Sequence, residues 1–346
     1  MKDVNIILLG YGRVGKAFAS LIQEKKQLCF DRYDLAIHLG AVLNSRGGLD
    51  FDRQNDRRKP RLRLSPLMEL DGSADWQPGL DFHAVCERRD FDVLVDCTPS
   101  DIQDGGPALP YTLKALERGW HVVTANKGPL VVDYDGIRKK AEENLVSLGM
   151  SGATAAALPT LDMALHSLAG TEIRRIEGIL NGTTNYILTR MNSGIEYPTA
   201  LREAQEKGIA EPDPSQDVEG WDTAAKILII TNAVFRTGFT LKDVRVEGIT
   251  RIPPRVWEKA QIGAKVLKLI GSFCTREGRP KLTARPSLLE PSHPLYLVDG
   301  AQKGITFHTD TMDSVTVTGG KSDPRGAAAA LLKDIINIYR KQAPAS

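Results

Sequence analysis

The chain has 346 residues, enough for about two domains, and 42% of them are hydrophobic. Its 45 basic and 43 acidic residues leave a net charge of +2, which excludes a protein built to bind a polyanion such as nucleic acid. The cysteines show no CxxC pair and no metal-ligand spacing, and the sequence has no secretion signal and no long apolar span: Cys29, Cys86, Cys97, Cys274. We therefore expect reduced thiols, a cytoplasmic location and no membrane partner.

The first predicted elements are a strand, a glycine turn and a helix. VNIILLG predicts a buried strand, GYGRVG follows it, and KAFASLIQEK has helical periodicity. A lone GxGxxG is a weak signal, but this context is the one that a dinucleotide-binding turn requires. Gly10 permits the tight turn, Gly12 lets the backbone approach a pyrophosphate, and Gly15 lets the helix pack closely on the strand. Arg13 and Val14 begin the helix, whose free N–H groups favour phosphate.

The second strand, LAIHLGAVL, leads to Asn44, Ser45 and Arg46. A site that prefers NAD usually has an acid at this strand end, to bind the 2′-hydroxyl of the ribose, and this stretch has none. Arg46 is suited to pairing with a 2′-phosphate, and Ser45 is suited to donating to it. We therefore predict NADP as the preferred cofactor, with NAD as the alternative. The basic run at residues 53–63 is more typical of a solvated loop than of a phosphate site.

Two further buried strands, FDVLVDC and HVVTAN, each end in a polar turn. Ligands of doubly wound sheets lie beyond the carboxyl ends of the strands. We therefore expect Thr98 and Pro99 of the first turn, and Asn126 and Lys127 of the second, to face the nicotinamide end of the cofactor. A lysine after a strand is more often a solvated loop residue. Lys127 is nevertheless a candidate active-site residue because of this position.

Strand and helix patterns alternate up to about residue 148 and then change. We predict an α/β protein in which residues 1–150 form a Rossmann-type, doubly wound parallel sheet. A small-residue loop, SGATAAALP, then leads to the helix TLDMALHSLAG and to strand-like stretches IRRIEGILN, VRVEGIT, KLTARPSLL, GITFHTD and DSVTVTGG. These predict a second, α+β domain with a mixed sheet at residues 151–324. The last helix, 325–341, is expected to pack back onto the first domain.

The block GIAEPDPSQDVEGWDTAAKI concentrates acids ahead of a single lysine, Lys226: Glu211, Asp213, Asp217, Glu219, Asp222. Asp222 and Lys226 are four residues apart in a predicted helix, so their side chains share one face. Such pairs are usually solvated and contribute a few tenths of a kcal/mol. The apolar ILII after Lys226 instead predicts a buried helix, where a lysine is costly unless it is paired or used. Together these residues indicate a pocket for a small zwitterion.

With GYGRVG, TANKGP, NGTTNYIL and the acid-rich block, the chain resembles the homoserine dehydrogenase family over most of its length. The resemblance implies NAD(P)-dependent interconversion of L-aspartate 4-semialdehyde and L-homoserine, in threonine and methionine biosynthesis. It also implies a homodimer formed through the sheet of the second domain. Lys127 and Lys226 match the family's two active-site lysines. The other matching residues are substrate-contacting acids and a turn near the substrate: Glu211, Asp217, Asp222; Gly182, Thr183.

The resemblance also suggests roles for these side chains. Glu211 and Asp217 are suited to holding the substrate ammonium through charge-assisted bonds. Lys226, oriented by Asp222, is suited to stabilising the developing alkoxide and delivering a proton. Lys127 is then a co-stabiliser or a proton relay, and the sequence leaves open which lysine donates the proton.

The chain departs from the family pattern at two places. Ser151 stands where many members have a glutamate of a monovalent cation site, so the sequence assigns no metal ligand and leaves cation binding open. The turn before the last helix contains Gly320, expected near the nucleotide, and Lys321, more typical of an exposed loop lysine. The chain stops soon after that helix, from which we expect no threonine-binding regulatory module and no kinase half.

Three alternatives remain at this stage. A dehydrogenase of a related amino-acid substrate keeps the cofactor domain and changes the substrate contacts. A non-catalytic, NADP-responsive binding protein is the alternative from another class, since a fold does not fix a function. A purely structural protein leaves the acids unexplained. The presence of both Lys127 and Lys226 favours an enzyme.

Overall fold

The computed structural model of the chain describes residues 1–51, 70–320 and 323–342. The basic run at residues 53–63 and Lys321 lie outside these residues. The chain divides into two compact units. The first is Met1–Ala156 together with the C-terminal segment from Asp323, and the second is Ala157–Ser322.

The described part of the first unit contains seven strands: β1 (Lys2–Leu9), β2 (Leu35–Asn44), β3 (Gly47–Asp50), β4 (Gln77–Pro78), β5 (Val93–Asp96), β6 (His121–Thr124) and β7 (Leu148–Gly149). They form one sheet in the order β4-β3-β2-β1-β5-β6-β7. The five strands from β2 to β7 in this order are parallel, and β3 and β4 add an antiparallel edge. The predicted Rossmann-type parallel sheet is thus confirmed, with a hairpin at one edge that was not predicted.

Helices of the first unit lie between these strands in the chain, except α7, which follows β7: α1 (Arg13–Glu24), α2 (Lys26–Tyr33), α3 (Phe82–Arg88), α4 (Ala108–Glu117), α5 (Gly128–Val132), α6 (Tyr134–Glu143) and α7 (Ser151–Thr154). Ile6, Ile7 and Leu8 of β1 are fully buried, as expected for a central strand that is covered on both faces. The predicted loop that starts at Ser151 begins as the short helix α7. This part of the prediction was wrong because serine, glycine and alanine do not by themselves separate a loop from a helical turn.

The described part of the second unit contains six strands: β8 (Ile173–Ile179), β9 (Val244–Val246), β10 (Val266–Arg276), β11 (Arg279–Leu289), β12 (Lys303–Thr309) and β13 (Ser314–Gly319). Their order in the sheet is β13-β12-β8-β10-β11-β9. All neighbouring pairs are antiparallel except β11 and β9, which are parallel. This is the mixed sheet that the sequence predicted.

The helices of the second unit are α8 (Thr160–Asp162), α9 (Gly182–Asn192), α10 (Tyr197–Glu206), α11 (Ser215–Val218), α12 (Trp221–Phe235) and α13 (Pro254–Ile262). The run Ile227–Ile230 of α12 is fully buried, which confirms the predicted buried helix. The predicted helix after Pro159 is shorter than expected, because α8 passes into a π-helical turn at Met163–Ser167.

The last helix, α14 (Pro324–Gln342), belongs to the first unit. Its apolar residues recur at helical spacing and pack against α1: Ala328, Leu331, Leu332, Ile335, Ile338, Tyr339. Within the part of the chain that the structure describes, no helix has the length and apolar character needed to span a membrane.

Candidate functional site

The glycine turn of the first unit joins β1 to α1. Gly10 has φ +85°, and a Cβ there would lie 2.6 Å from the backbone of Cys97. A Cβ on Gly15 would lie 2.0 Å from the carbonyl oxygen of Gly10, so the helix packs on the turn without room for a side chain. A Cβ on Gly12 would meet no atom of the described residues within 4 Å. The fold therefore does not need glycine at position 12, and the open space beside it fits a pyrophosphate close to the backbone.

Helix α1 starts directly at this turn. Its first residues are Arg13 and Val14, and its N-cap, Gly12, has no side chain to accept from the first N–H groups. Such N–H groups, together with the helix dipole, favour an anion. The turn and α1 thus provide the chemistry that a dinucleotide phosphate requires.

One hydrogen-bond network joins the turns after β5 and β6. The buried carboxylate of Asp96 accepts from the backbone N–H and the hydroxyl of Thr98, at 2.9 and 2.6 Å, and from the Thr124 hydroxyl at 3.4 Å. The Asn126 amide donates to Oγ1 of Thr98 and to the carbonyl of Pro99, at 3.0 and 3.2 Å. Burial raises the pKa of Asp96, and the bonds from Thr98 oppose that shift. The network brings together Thr98, Pro99 and Asn126, as their position at adjacent strand ends predicts.

Lys127 lies at the same edge of the sheet, between β6 and α5. Its backbone N–H donates to Oγ of Ser100 at 2.9 Å, and the residue is partly buried. The next N–H, of Gly128, donates to Oδ1 of Asn126 at 2.8 Å. These bonds fix the backbone of Lys127 relative to the turn after β5.

Ser45 and Arg46 form the exposed connection between β2 and β3. Nη1 of Arg46 lies 3.0 Å from Oδ2 of Asp71, which belongs to the single helical turn Leu70–Gly72. The end of β2 beside Arg46 has no acid, and the fold supplies one from a later segment. An exposed ion pair of this kind contributes about 0–1 kcal/mol, so a phosphate is able to compete for the guanidinium.

The acids and the lysine of the second unit form one hydrogen-bonded cluster. Nζ of Lys226 donates to Oδ2 of Asp222 at 2.6 Å and to the carbonyl oxygen of Leu180 at 3.0 Å. The side-chain amide of Asn181 donates to Oδ1 of Asp217 at 2.6 Å and to Oδ2 of Asp222 at 2.8 Å. We call these four side chains, Asn181, Asp217, Asp222 and Lys226, the acid–lysine cluster.

The acid–lysine cluster has an excess of negative charge. Two carboxylates and one ammonium give the four side chains of the cluster a net charge of −1 when both acids are ionised. Burial and the neighbouring charge of Asp222 raise the pKa of Asp217, while Lys226 and the bonds from Asn181 and Thr183 lower it. A bound cation would relieve this repulsion, so the cluster is suited to an ammonium group.

Other predicted residues of the second unit lie near this cluster in the chain. Gly182 and Thr183 are buried in the first turn of α9, and the Thr183 hydroxyl donates to the carbonyl of Ile209 at 3.0 Å. Glu211 is exposed in the segment between α10 and α11, where its carbonyl accepts from Gln205 at 3.4 Å. The cluster thus brings together Asp217, Asp222 and Lys226, and Glu211 follows α10 in the segment that leads to α11.

Gly320, the candidate nucleotide contact, has a role within its own unit. It has φ +73°, and a Cβ there would lie 2.8 Å from the backbone nitrogen of Leu158. Glycine is therefore required at position 320 by the close approach of the chain at residues 157–158.

Ser151 is held by the C-terminal helix of the first unit. Its backbone N–H and its hydroxyl donate to the carboxylate of Asp334, at 2.9 and 2.7 Å, and Nζ of Lys333 donates to its hydroxyl at 2.8 Å. Burial raises the pKa of Asp334. Among the residues that the structure describes, no group of three or more His, Cys, Asp or Glu side chains is arranged to hold a metal ion.

Sequence reasoning missed three polar residues of these sites. Asp96 and Asn181 were visible as a strand-end acid and as the residue before a helix, but neither position revealed its bonding partners. Asp71 gave no local signal. Its ion pair with Arg46 joins two residues that are distant in the sequence.

Two family models match the chain in succession. The model for the NAD-binding domain of homoserine dehydrogenase matches residues 10–149, and the homoserine dehydrogenase model matches residues 159–336. The chain belongs to the homoserine dehydrogenase family. The recognition made from the sequence motifs is thereby confirmed.

Individual relatives in the homoserine dehydrogenase family are similar over nearly the whole chain. A homoserine dehydrogenase from Methanocaldococcus jannaschii is 38% identical, covering 97% of this chain and 98% of the relative. An NAD(+)-dependent homoserine dehydrogenase from Pseudomonas canavaninivorans is 33% identical, covering 98% and 97%. The crystal structure of a protein from Archaeoglobus fulgidus, named a putative homoserine dehydrogenase, is 34% identical in sequence and has a TM-score of 0.83. The match covers 97% of this chain and 99% of that one.

Proposed function

We propose that the chain catalyses the NAD(P)-dependent interconversion of L-aspartate 4-semialdehyde and L-homoserine. The observation that carries this proposal is the acid–lysine cluster, found in a member of the homoserine dehydrogenase family. The first unit serves as the dinucleotide-binding domain, and the second serves as the substrate-binding and dimerisation domain. The open space at Gly12 and the start of helix α1 directly after it support the assignment of the first unit.

The nicotinamide cofactor is held by residues of the first unit. The pyrophosphate binds at Gly10, Gly12 and the start of α1, while Thr98 and Asn126 contact the nicotinamide end. When bound, the reduced nicotinamide supplies the hydride that turns the aldehyde carbon into an alcohol carbon. Gly320, which belongs to the second unit, is kept from the sequence prediction as a further proposed nucleotide contact through its backbone.

NADP is the preferred cofactor in this proposal. The supporting feature is Arg46, exposed at the end of β2, whose guanidinium forms a surface ion pair with Asp71. Ser45 beside it adds a hydroxyl donor for a 2′-phosphate. The relative from Pseudomonas canavaninivorans is named for NAD(+), so the preference is a property to be measured for this chain.

The substrate ammonium is held by the acids of the second unit. Asp217 and Glu211 bind it through charge-assisted bonds, and its positive charge offsets the excess negative charge of the cluster. Anchoring this end of the substrate fixes the carbonyl group, which lowers the barrier by orientation.

Lys226 acts on the carbonyl oxygen. Two of its three N–H bonds are engaged, with Asp222 and with the carbonyl of Leu180, and the third has no acceptor among the described residues. This N–H stabilises the charge that develops on the substrate oxygen and delivers a proton to it, an effect of about 10²–10⁴-fold in other enzymes. Lys127 is the co-stabiliser or proton relay.

A substrate panel tests the proposed function. NADPH oxidation is followed with L-aspartate 4-semialdehyde, with a longer homologue and with succinate semialdehyde, which lacks the ammonium group. We expect the highest kcat/KM with aspartate semialdehyde and a large loss with succinate semialdehyde. Preference for the longer homologue would establish the related-substrate alternative, and no turnover with any aldehyde would favour the binding-protein alternative.

The resemblance also supports a homodimer formed through the sheet of the second unit, and we include it in the proposal. Sedimentation equilibrium at micromolar concentration is expected to give twice the chain mass. A monomer mass would refute the dimer.

The proposed location of the protein is the cytoplasm. All four cysteines are free thiols, which supports a reducing compartment.

A further inference from the structure

Asn181 is fixed by a helix cap on one side of its amide. It is the extended residue before α9, it is buried, and its Oδ1 accepts from the backbone N–H of Thr184 at 2.9 Å. The Thr184 hydroxyl donates to the same oxygen at 3.1 Å. Because the carbonyl side of the amide is directed at α9, the NH2 side is directed away from the helix.

The NH2 group of Asn181 bridges two carboxylates from different elements. Asp217 lies in α11, and Asp222 lies in the first turn of α12. The two N–H bonds reach one oxygen of each, at 2.6 and 2.8 Å. The neutral amide donates one N–H to each carboxylate and adds no charge. An ionised carboxylate or an apolar side chain at this position has no donor, and a hydroxyl has only one.

The bridge continues to the lysine. Oδ2 of Asp222, which accepts from Asn181, also accepts from Nζ of Lys226, and Nζ is held as well by the carbonyl of Leu180. Residues 180 and 181 thus contact all three charged members of the acid–lysine cluster directly. Asn181 donates to Asp217 and Asp222, and the carbonyl of Leu180 accepts from Lys226.

We propose that Asn181 is a positioning residue that sets the geometry of Asp217, Asp222 and, through Asp222, Lys226. This inference rests on the proposed function, since it explains how Lys226, the proposed proton donor, is held in place. The alternative is a purely structural role, in which Asn181 only caps α9. The two are separable because the cap uses Oδ1 and the bridge uses Nδ2.

Two substitutions separate the cap from the bridge. Asn181→Asp and Asn181→Ser both retain an N-cap acceptor of nearly equal quality, and both remove the NH2 donor. Asn181→Asp also places a third carboxylate in the cluster. We expect kcat to fall about tenfold to a hundredfold in both variants, as for misplaced catalytic groups, with the NADPH Kd unchanged.

The matched control lies at the other end of the same helix. Asn192 donates to the carbonyl of Leu267 at 3.1 Å and accepts from its N–H at 3.0 Å, so it also joins α9 to another element. Asn192→Ser is expected to change the thermal midpoint and to leave kcat and its pH profile unchanged. Wild-type kcat and pH profile in Asn181→Asp and Asn181→Ser would overturn the proposal and leave Asn181 as a cap.

Two readouts identify the bridge itself. A protonated aspartate regains one donor, so the kcat of Asn181→Asp relative to that of Asn181→Ser is expected to rise as the pH falls. In ligand-free protein, carboxyl carbon NMR is expected to show the pKa of Asp217 rising in Asn181→Ser, because the lost bond favours the ionised form. An unchanged pKa of Asp217 in Asn181→Ser would overturn the proposed role of Asn181, whatever the substrate is. Inactivity of the wild type with aspartate semialdehyde would refute the proposed function alone.

Discussion

Nζ of Lys226 lies 2.6 Å from Oδ2 of Asp222, one turn earlier on α12, and the two side chains are only 17% and 11% exposed. The spacing alone is that of an ordinary surface pair. Burial changes what the pair contributes to stability. A mostly buried ion pair loses much of its hydration, and this cost offsets the attraction between the two charges. The buried pair is therefore consistent with the proposed chemical role of Lys226, and it is a poor candidate for stabilising the fold.

Lys226→Ala is expected to lower kcat by about 10²–10⁴-fold, because it removes the proposed proton donor. NADPH affinity should change little. Lys242→Ala, at an exposed lysine of the same unit, is the control and should retain full activity. The measurement is steady-state NADPH oxidation combined with NADPH binding by fluorescence. Normal turnover in Lys226→Ala would remove this residue from the mechanism.

Arg46→Ala is expected to reduce the preference for NADP over NAD by about tenfold or more, since a lost charge-assisted bond is equivalent to about 1.5–3 kcal/mol. The ratio of kcat/KM for NADPH and NADH measures this preference. Lys114→Ala removes another exposed cation of the first unit, 3.5 Å from Glu117, and should leave the ratio unchanged. An unaltered ratio in Arg46→Ala would exclude the phosphate assignment.

Asp71→Asn is expected to act in the opposite direction. It removes the carboxylate that pairs with Arg46 and so leaves the guanidinium for a phosphate. An exposed pair contributes about 0.2–1 kcal/mol, so NADPH should bind up to about fivefold more tightly. Isothermal titration with NADPH and NADH is the measurement. Weaker NADPH binding would show that Asp71 supports the cofactor directly.

Gly12→Ala tests the open space at the glycine turn. The backbone of Gly12 is extended, with φ −81°, and a Cβ there meets no atom of the described residues, so the protein should fold with its normal thermal midpoint. NADPH affinity should fall about tenfold to a hundredfold, because the methyl group overlaps the proposed pyrophosphate position. Gly15→Ala is the contrast, since its Cβ would lie 2.0 Å from Gly10 and should destabilise the unit itself.

The second unit should lose stability in acid through Glu177. Burial alone raises the pKa of this carboxyl, but the hydrogen bond from His293, the charge of Arg175 and the bond from His308 together hold it at about 2. A lowered pKa stabilises the fold above the ordinary value of 4.5, and this contribution is lost as the pH falls through about 2. Glu177→Gln should therefore cost about 1–3 kcal/mol of unfolding free energy near pH 7, and this difference should shrink toward pH 2.

Urea unfolding at a fixed protein concentration measures this dependence. Glu172→Gln is the control, because Glu172 is 70% exposed and only 3.6 Å from Arg174 in a surface pair. A difference between wild type and Glu177→Gln that stays constant with pH would contradict the ionisation account.

Some of the fold and of the site followed from the sequence by itself. Gly10, with its positive φ, and Gly15, packed on the carbonyl of Gly10, specify the turn through local sterics. The strand before them and the helix after them are predicted directly by the spacing of their apolar residues. The pairing of Asp222 with Lys226 followed from helical spacing, and the burial of α12 from the apolar run after the lysine. These features depend on residues close together in the chain, whose geometry is nearly fixed once the element is known.

Other relations depended on tertiary structure. Asn181 meets Asp217 and Asp222 across 36 and 41 residues, and Ser151 meets Asp334 across 183. The ion pair of Arg46 with Asp71 likewise joins residues that are distant in the sequence. Hydrogen bonds between distant segments depend on the register of strands and the packing of helices to within about an ångström, and no local period encodes that. The sequence thus determined which elements form and which residues carry charge. The packed fold decided which of those charged side chains share a hydrogen-bond donor, as Asp217 and Asp222 share the amide of Asn181.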